Sequence, residues 1–508
     1  MSDPSWSEGY VVDLDYTSGY FRELSPAYLR FVALLGGVEV QDAASYTYYE
    51  LGCGNGYSAA LHAAANPDAR FYGVDFNPTH IRNAQKLAQH AAVANVRFLE
   101  KSFGELLDSE LEDADFIALH GVWSWVGDEQ RRHLLEFIRR RLKPGGLVYV
   151  SYNCLPGIAQ VAPLQRLMNE HAGTGAGDRL DKVRRSIDFA ARLQQAGARF
   201  FSTNPLAASR LAAMRTQDPH YVAHEYHNAN WTPFYHADVA RELGGAKLSY
   251  AGCAALIENF DQLTLSPELA KLAAELGERS LAETVKDFAR NQVFRRDVFT
   301  RGAPRAAPAQ LDAMLDATRF CLARPRASCR MKTTTLAGEL ALQPESYAPV
   351  LDALARAPMT FAELSQAQEC AQLDRVRLRQ AVFGMAALGN LLPALPAAGE
   401  SARREAAGRF NQAALRTPLG GTDLGLASPV LGAGIQVNFV DRLFLGAPRD
   451  EAQAIASALR ALAAAGIKLR KDGKELEAAA DVEAYVRERA RFFFADFLPF
   501  LRLLRVVD

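Results

Sequence analysis

The 508-residue sequence predicts an α/β protein: a doubly wound, seven-stranded domain with a helical insertion, followed by a C-terminal α+β module containing a winged-helix-like unit. Three observations lead there. Residues 46–152 alternate short β-prone runs with amphipathic helices, a glycine-rich turn joins the first strand to the first helix, and two more strand-like runs follow a long helical stretch.

In order, Tyr46 to Leu51 is the first strand, Gly52 to Gly56 the turn, and Tyr57 to Ala65 a helix stopped by Asn66-Pro67. Phe71 to Val74 is the second strand. Asn77 then caps a helix with Pro78 at its first position, its apolar side carrying Ile81, Ala84, Leu87 and Ala88. Val96 to Leu99 and Phe116 to Leu119 are the next two strands. A helix from Gln130 to Leu142 ends at Lys143-Pro144-Gly145-Gly146, and Leu147 to Tyr152 is the fifth strand. Such alternation implies a parallel sheet covered on both faces, with ligands at the carboxyl ends of its strands. Residues 156–245 read as a helical insertion, and Lys247 to Ala251 and Gln292 to Thr300 as the last two strands. Tyr347 to Arg356, Thr360 to Ala367 and Asp374 to Leu388, followed by a Leu391-Leu392 strand, have a winged-helix layout. The expected units are therefore 1–155 with 246–305, then 156–245, 306–400 and 401–508.

Hydrophobic residues at 49% and charged residues at 23% exclude a disordered chain, and a formal charge of -1 exerts no global pull on nucleic acid or anionic lipid. The N-terminus has no secretory pattern and no stretch reaches transmembrane length, so a cytoplasmic protein is expected. The six scattered cysteines read as reduced.

Glu50-Leu51-Gly52-Cys53-Gly54-Asn55-Gly56 lets the backbone approach a ligand closely. A dinucleotide fingerprint would need a small residue where Tyr57 stands, which disfavours NAD. Glu50 suits a cationic ligand and would repel phosphate. Asp75, 23 positions after Gly52, can accept hydrogen bonds from both hydroxyls of an unphosphorylated ribose. Together they ask for a positively charged nucleoside.

These residues, with Tyr72-Gly73-Val74-Asp75, resemble the S-adenosylmethionine motifs of the class I methyltransferases, whose fold is Rossmann-like. The resemblance implies S-adenosyl-L-methionine as cofactor, with Gly52, Gly54 and Gly56 lining the methionine moiety, Glu50 and Cys53 among the cofactor-binding residues and Asp75 on the ribose. It implies Phe76 and Asn77 beside the adenosine, Ser102 and Phe103 as adenine contacts, and His120 at the site; Ser102 stands where many relatives have Asp. His120 to Val126, Ser151 to Gly157, Tyr16 to Leu24, Asn204-Pro205-Leu206, Ala223-His224-Glu225-Tyr226 and Trp231 to Tyr235 resemble one bacterial group within that class. This group carries a methyltransferase regulatory domain and includes the rickettsial protein lysine methyltransferases.

That resemblance implies transfer to a lysine amine of a protein substrate, while the absence of an [DN]-P-P-[YFW] box after the fourth strand argues against nucleobases. In-line displacement needs an oriented, deprotonated amine rather than a strong base. Tyr16, Tyr20, Trp123, Tyr152 and Asn153 are the candidates for the acceptor wall, and His224 and Glu225 for the substrate opening. Plain structural readings stay open: Trp123 and Trp125 as core, Tyr152-Asn153 as a strand end, His224-Glu225-Tyr226 as packing. The four histidines from His220 to His236 lack a metal-site pattern, so no metal is expected. Arg375, Arg377 and Arg379 are spaced so as to scatter around their helix, which points to protein docking and away from nucleic acid. The apolar tail 492–504, broken by charge and proline, reads as core, homodimer interface or membrane-surface contact, in that order. A small-molecule methyltransferase and a non-catalytic cofactor-binding module are the alternative functions.

Overall fold

Seven strands form one sheet in the order β3-β2-β1-β4-β5-β7-β6 in the computed structural model, which describes residues 9–11, 19–40, 43, 45–302, 304–335, 338–417, 423–447, 450–471 and 474–508. They are β1 (Thr47–Leu51), β2 (Arg70–Asp75), β3 (Val96–Glu100), β4 (Ala114–Leu119), β5 (Leu142–Asn153), β6 (Leu248–Cys253) and β7 (Phe294–Arg301). The sheet is mixed rather than wholly parallel, because β7 runs antiparallel to both β5 and β6. Sequence alternation could not show this, since strand direction depends on where the connection re-enters the sheet.

Strand alternation divides the core in two. Tyr48, Phe71, Phe116, Tyr149 and Val298 pack on one face against α1 (Pro26–Leu35), α2 (Tyr57–Ala65) and α3 (Pro78–His90). Tyr49, Leu51, Val74, Ile117, Val148, Val150 and Phe299 pack on the other with α4 (Phe103–Leu107) and α5 (Asp128–Arg141). The insertion contributes α6 (Ala162–Gly173), α7 (Arg179–Gln195), α8 (Arg199–Thr203), α9 (Pro205–Met214) and α10 (Pro219–Tyr226), which share a third core. The next helix, α11 (His236–Gly245), sends Val239 and Leu243 into the second core with the sheet.

Between β6 and β7 lie α12 (Asp261–Thr264), α13 (Pro267–Ala274) and α14 (Arg279–Arg290). Helix α14 packs inside out: it buries Glu283 and Asp287 and exposes Leu281 and Phe288. The cause is Arg295 on β7, fully buried, whose guanidinium donates to Asp297 Oδ1 (2.9 Å), Asp287 Oδ1 (2.6 Å), Glu283 Oε2 (2.9 Å) and the Tyr250 hydroxyl (3.1 Å). A charge so placed requires carboxylates around it, and the amphipathic helix turns to supply them.

After the sheet, Arg319–Leu322, Met359–Thr360 and Leu391–Ala394 form a three-stranded antiparallel sheet with helices Pro344–Arg356, Phe361–Gln366 and Arg375–Ala387. Arg375 and Arg379, one turn apart, both face Asp312 and so share a side of their helix, whereas Arg377 pairs with Asp374 instead. Helix Glu400–Arg416 packs on α2 and on a hairpin, Leu424–Ser428 with Ala433–Val437. The tail forms helix Ala479–Phe492, a π-turn and helix Leu498–Leu503, burying Phe493, Phe497, Phe500 and Leu501. Among the described residues, no helix is long and apolar enough to cross a membrane.

Candidate functional site

The carboxyl ends of β1, β2 and β4 open into a cleft of about 1170 Å³, mouth included, closed on its outer side by residues 10, 19 and 21 and by the loop 121–127. The glycine turn shapes its floor. Gly52 has φ +76, and a Cβ there would stand 2.5 Å from Val122 Cγ2; Gly56 has φ +68, and a Cβ there would meet Phe98 and Ala84 at 2.5 and 2.6 Å. Neither position admits a side chain, so the turn stays bare where α2 begins.

Asp75, at the end of β2, ties the floor together. Its Oδ2 accepts from the Gly54 N–H (2.9 Å), and its Oδ1 from the Asn77 N–H (2.9 Å) and His80 Nδ1 (3.2 Å). Carboxylate oxygens have further lone pairs, and Asp75 lines the cleft. Glu50, at 5% exposure, points into the same space, and its Oε2 has no hydrogen-bond partner among the described residues. Burial pushes its carboxyl up to about 8. A buried carboxylate oxygen left open in a cleft with a bare glycine floor fits a ligand that brings a cation.

His120 is held from two sides: its Nδ1 is hydrogen-bonded to the Tyr149 hydroxyl (2.9 Å), and the Phe21 ring lies on it with centroids 3.8 Å apart. Burial lowers its pKa to about 4, so the imidazole is neutral at physiological pH.

Of the expected cofactor residues, Glu50, Gly52, Cys53, Gly54, Gly56, Asp75, Phe76, Ser102, Phe103 and His120 all line the cleft. Asn77 does not: its side chain accepts from the Thr79 N–H (2.9 Å) to cap α3. Ser102 lines the cleft, but its polar groups are engaged in a capping box with Glu105, at 2.8 to 3.3 Å.

The expected acceptor wall is largely corrected. Tyr16 lies outside the described residues. Tyr20 turns away from the cleft to the C-terminal hairpin, where its hydroxyl bonds to Gly434. Trp123 is fully buried in the second core, and Trp125, two positions on, lines the cleft instead. Tyr152 is fully buried and donates to Asp297 Oδ2 (2.5 Å), because its position on β5 faces Arg295 of β7. Asn153 is also buried outside the cleft, its N–H donating to Ser124 Oγ (2.9 Å).

His224 and Glu225 stand behind the cleft wall rather than in it. The His224 ring packs 5.8 Å from Tyr10, which lines the cleft and meets Phe76 edge-on, and the Glu225 carbonyl accepts from Trp125 Nε1 (3.4 Å). Burial, opposed by Arg210, raises the Glu225 carboxyl to about 7. Tyr10, Phe21, Trp125, Gln130 and Asn230 line the cleft without having been anticipated. The Trp-x-Trp spacing was a signal for Trp125; Tyr10 and Asn230 meet only through the tertiary fold.

Residues 42–233 match the family model described as a methyltransferase domain, and residues 218–301 that of the predicted methyltransferase regulatory domain. An uncharacterized protein of Synechocystis sp. is 35% identical over 504 residues, 99% of this chain and 100% of that one. An uncharacterized protein of Rickettsia prowazekii is 27% identical over 287 residues, 56% of this chain and 51% of its own. The structure of PKMT2 from Rickettsia typhi in complex with AdoHcy covers 97% of this chain and 99% of that one, with a TM-score of 0.69 at 18% identity, which shows a shared fold.

Proposed function

We propose that this chain, which belongs to the class I S-adenosylmethionine-dependent methyltransferases that carry a methyltransferase regulatory domain, methylates the side-chain amine of lysine in a protein substrate. S-adenosylmethionine, when bound, supplies an electrophilic methyl group on a sulfonium. Asp75 holds the ribose hydroxyls, Glu50 neutralises positive charge, and the glycine turn leaves room for the methionine moiety.

Support for an amine acceptor comes from the outer wall, where Tyr10, Phe21 and Trp125 line the cleft, with Gln130 and Asn230 as its polar groups. Aromatic faces pack along the alkyl stem of a lysine and exclude water, and that desolvation favours the neutral amine. The fold shared with rickettsial PKMT2 agrees with this reading.

Incubation of the full chain with methyl-labelled S-adenosylmethionine and lysine-centred peptides is expected to give base-stable label in the peptide, abolished when the lysines are acetylated beforehand. Label retained after acetylation, or transferred only to small molecules, would remove the lysine reading.

Cofactor affinity carries a pH signature. Glu50 presents a charge only after losing its proton, so affinity should rise with pH and level off above about 8. Glu50→Gln should abolish the dependence; calorimetry on both proteins cancels the titration of the ligand itself. The same group acts oppositely on the unliganded fold: its stabilisation is complete below the unfolded pKa near 4.5 and is lost as pH rises through about 8.

A further inference from the structure

Gly19 and Phe21 line the cleft, yet the grip on them comes from two other elements. On one side, α2 supplies Ser58, whose Oγ accepts from the Phe21 N–H (3.1 Å) and donates to the Gly19 carbonyl (3.3 Å). On the other, Tyr20 reaches the C-terminal hairpin, more than 400 positions away in sequence. Its hydroxyl accepts from the Gly434 N–H (2.6 Å) and donates to the Gly434 carbonyl (3.1 Å). The ring lies flush on the hairpin, since a Cβ on Gly425 would stand 2.7 Å from Tyr20 Cγ and one on Gly434 2.8 Å from Cζ. Tyr57, the first residue of α2 and part of the cleft lining, donates to the Gly425 carbonyl (2.6 Å). One hairpin thus holds both the segment 19–21 and the start of α2.

We propose that Tyr20 is a positioning residue for cofactor binding: anchored to Gly434 of the C-terminal hairpin, it keeps Phe21 stacked on His120 as the outer wall of the S-adenosylmethionine cleft. The C-terminal module is thereby a working part of the cofactor site. Loss of the Tyr20 anchor alone releases the wall and lets the cofactor leave, while Tyr57 still ties the start of α2 to Gly425.

The test compares Tyr20→Ala, Phe21→Ala and the double variant of the full chain by calorimetric titration with S-adenosylmethionine, alongside initial rates. If Tyr20 acts through Phe21, each single change weakens binding about tenfold and the double change no further, with KM for the cofactor raised in Tyr20→Ala. Wild-type affinity in Tyr20→Ala, or single losses that multiply to about 100-fold in the double variant, would overturn the proposal. Should Tyr20→Ala fail to fold, Tyr20→Phe and Gly434→Ala replace it. Both are expected to speed S-adenosylhomocysteine dissociation, and an unchanged rate in the two would also overturn it.

Discussion

Exchange of Arg295 for leucine is expected to destabilise the sheet domain by about 3–5 kcal/mol, the cost of breaking a buried ion pair by removing one partner. The guanidinium makes close contact with Glu283, Asp287 and Asp297, and the remaining cation in the cluster, Lys286, contacts only Glu283 within it. The Tyr152 hydroxyl donates to Asp297 Oδ2, and His236 Nδ1 lies within hydrogen-bond distance of the same oxygen. Loss of packing alone would be independent of pH, whereas loss of charge is not. In the wild type Arg295 and Lys286 hold Glu283, despite its burial, down at about 2, so its stabilisation is present above the unfolded pKa near 4.5 and is lost only as pH falls toward 2. In the variant the carboxylates are buried without their cation, their pKa values rise, and stability falls as pH increases. Urea unfolding at pH 5.5 and pH 8 should therefore show a larger deficit at pH 8. A deficit below about 1 kcal/mol at both values would show that the charges are solvated in a way the buried geometry does not allow.

The same cluster explains which parts of the molecule could be read from the sequence. Local signals were sufficient for the glycine turn, for Asn77-Pro78 at the start of α3, and for α2, because caps, breakers and two-residue alternation act over a few positions. The cleft floor was readable for the same reason: Glu50 to Gly56 and Asp75 lie on consecutive strand ends. The outer wall was not. In the loop after β4 no periodicity distinguishes Trp123 from Trp125, and the turn at Gly121, with φ +65, sends the second indole to the cleft and the first to the core. Tyr152 was misread because its partner, Asp297, is supplied by a strand 145 positions away. A usable signal did exist, since Arg295 and Asp297 share one face of a strand and Glu283 and Asp287 one face of a helix, an acidic and basic set too regular for solvent. Tyr20 is the same kind of case, its destination fixed by two glycines on a hairpin that lies far along the chain.

For Asp75→Ala the expected result is a loss of about 100-fold in S-adenosylmethionine affinity, because two ribose hydroxyls each lose a hydrogen bond to a charged acceptor worth about 1.5 kcal/mol. Asp75 also accepts from the Gly54 and Asn77 N–H groups, so alanine loosens the glycine turn as well as removing the ribose contact. Asp75→Asn separates the two effects. An amide keeps the size of the carboxylate but has one acceptor oxygen, so its NH2 must face either the Gly54 or the Asn77 N–H and cannot satisfy both. If the carboxylate served only the turn, adenosine, which has the ribose and lacks the methionine cation, would bind both variants in proportion to their loss of stability. If it holds the ribose, adenosine affinity falls as steeply as S-adenosylmethionine affinity, while the Glu50-dependent rise of S-adenosylmethionine binding with pH persists in Asp75→Asn. Wild-type affinity in both variants would take Asp75 out of the cofactor site, leaving it as the brace between β2 and the turn.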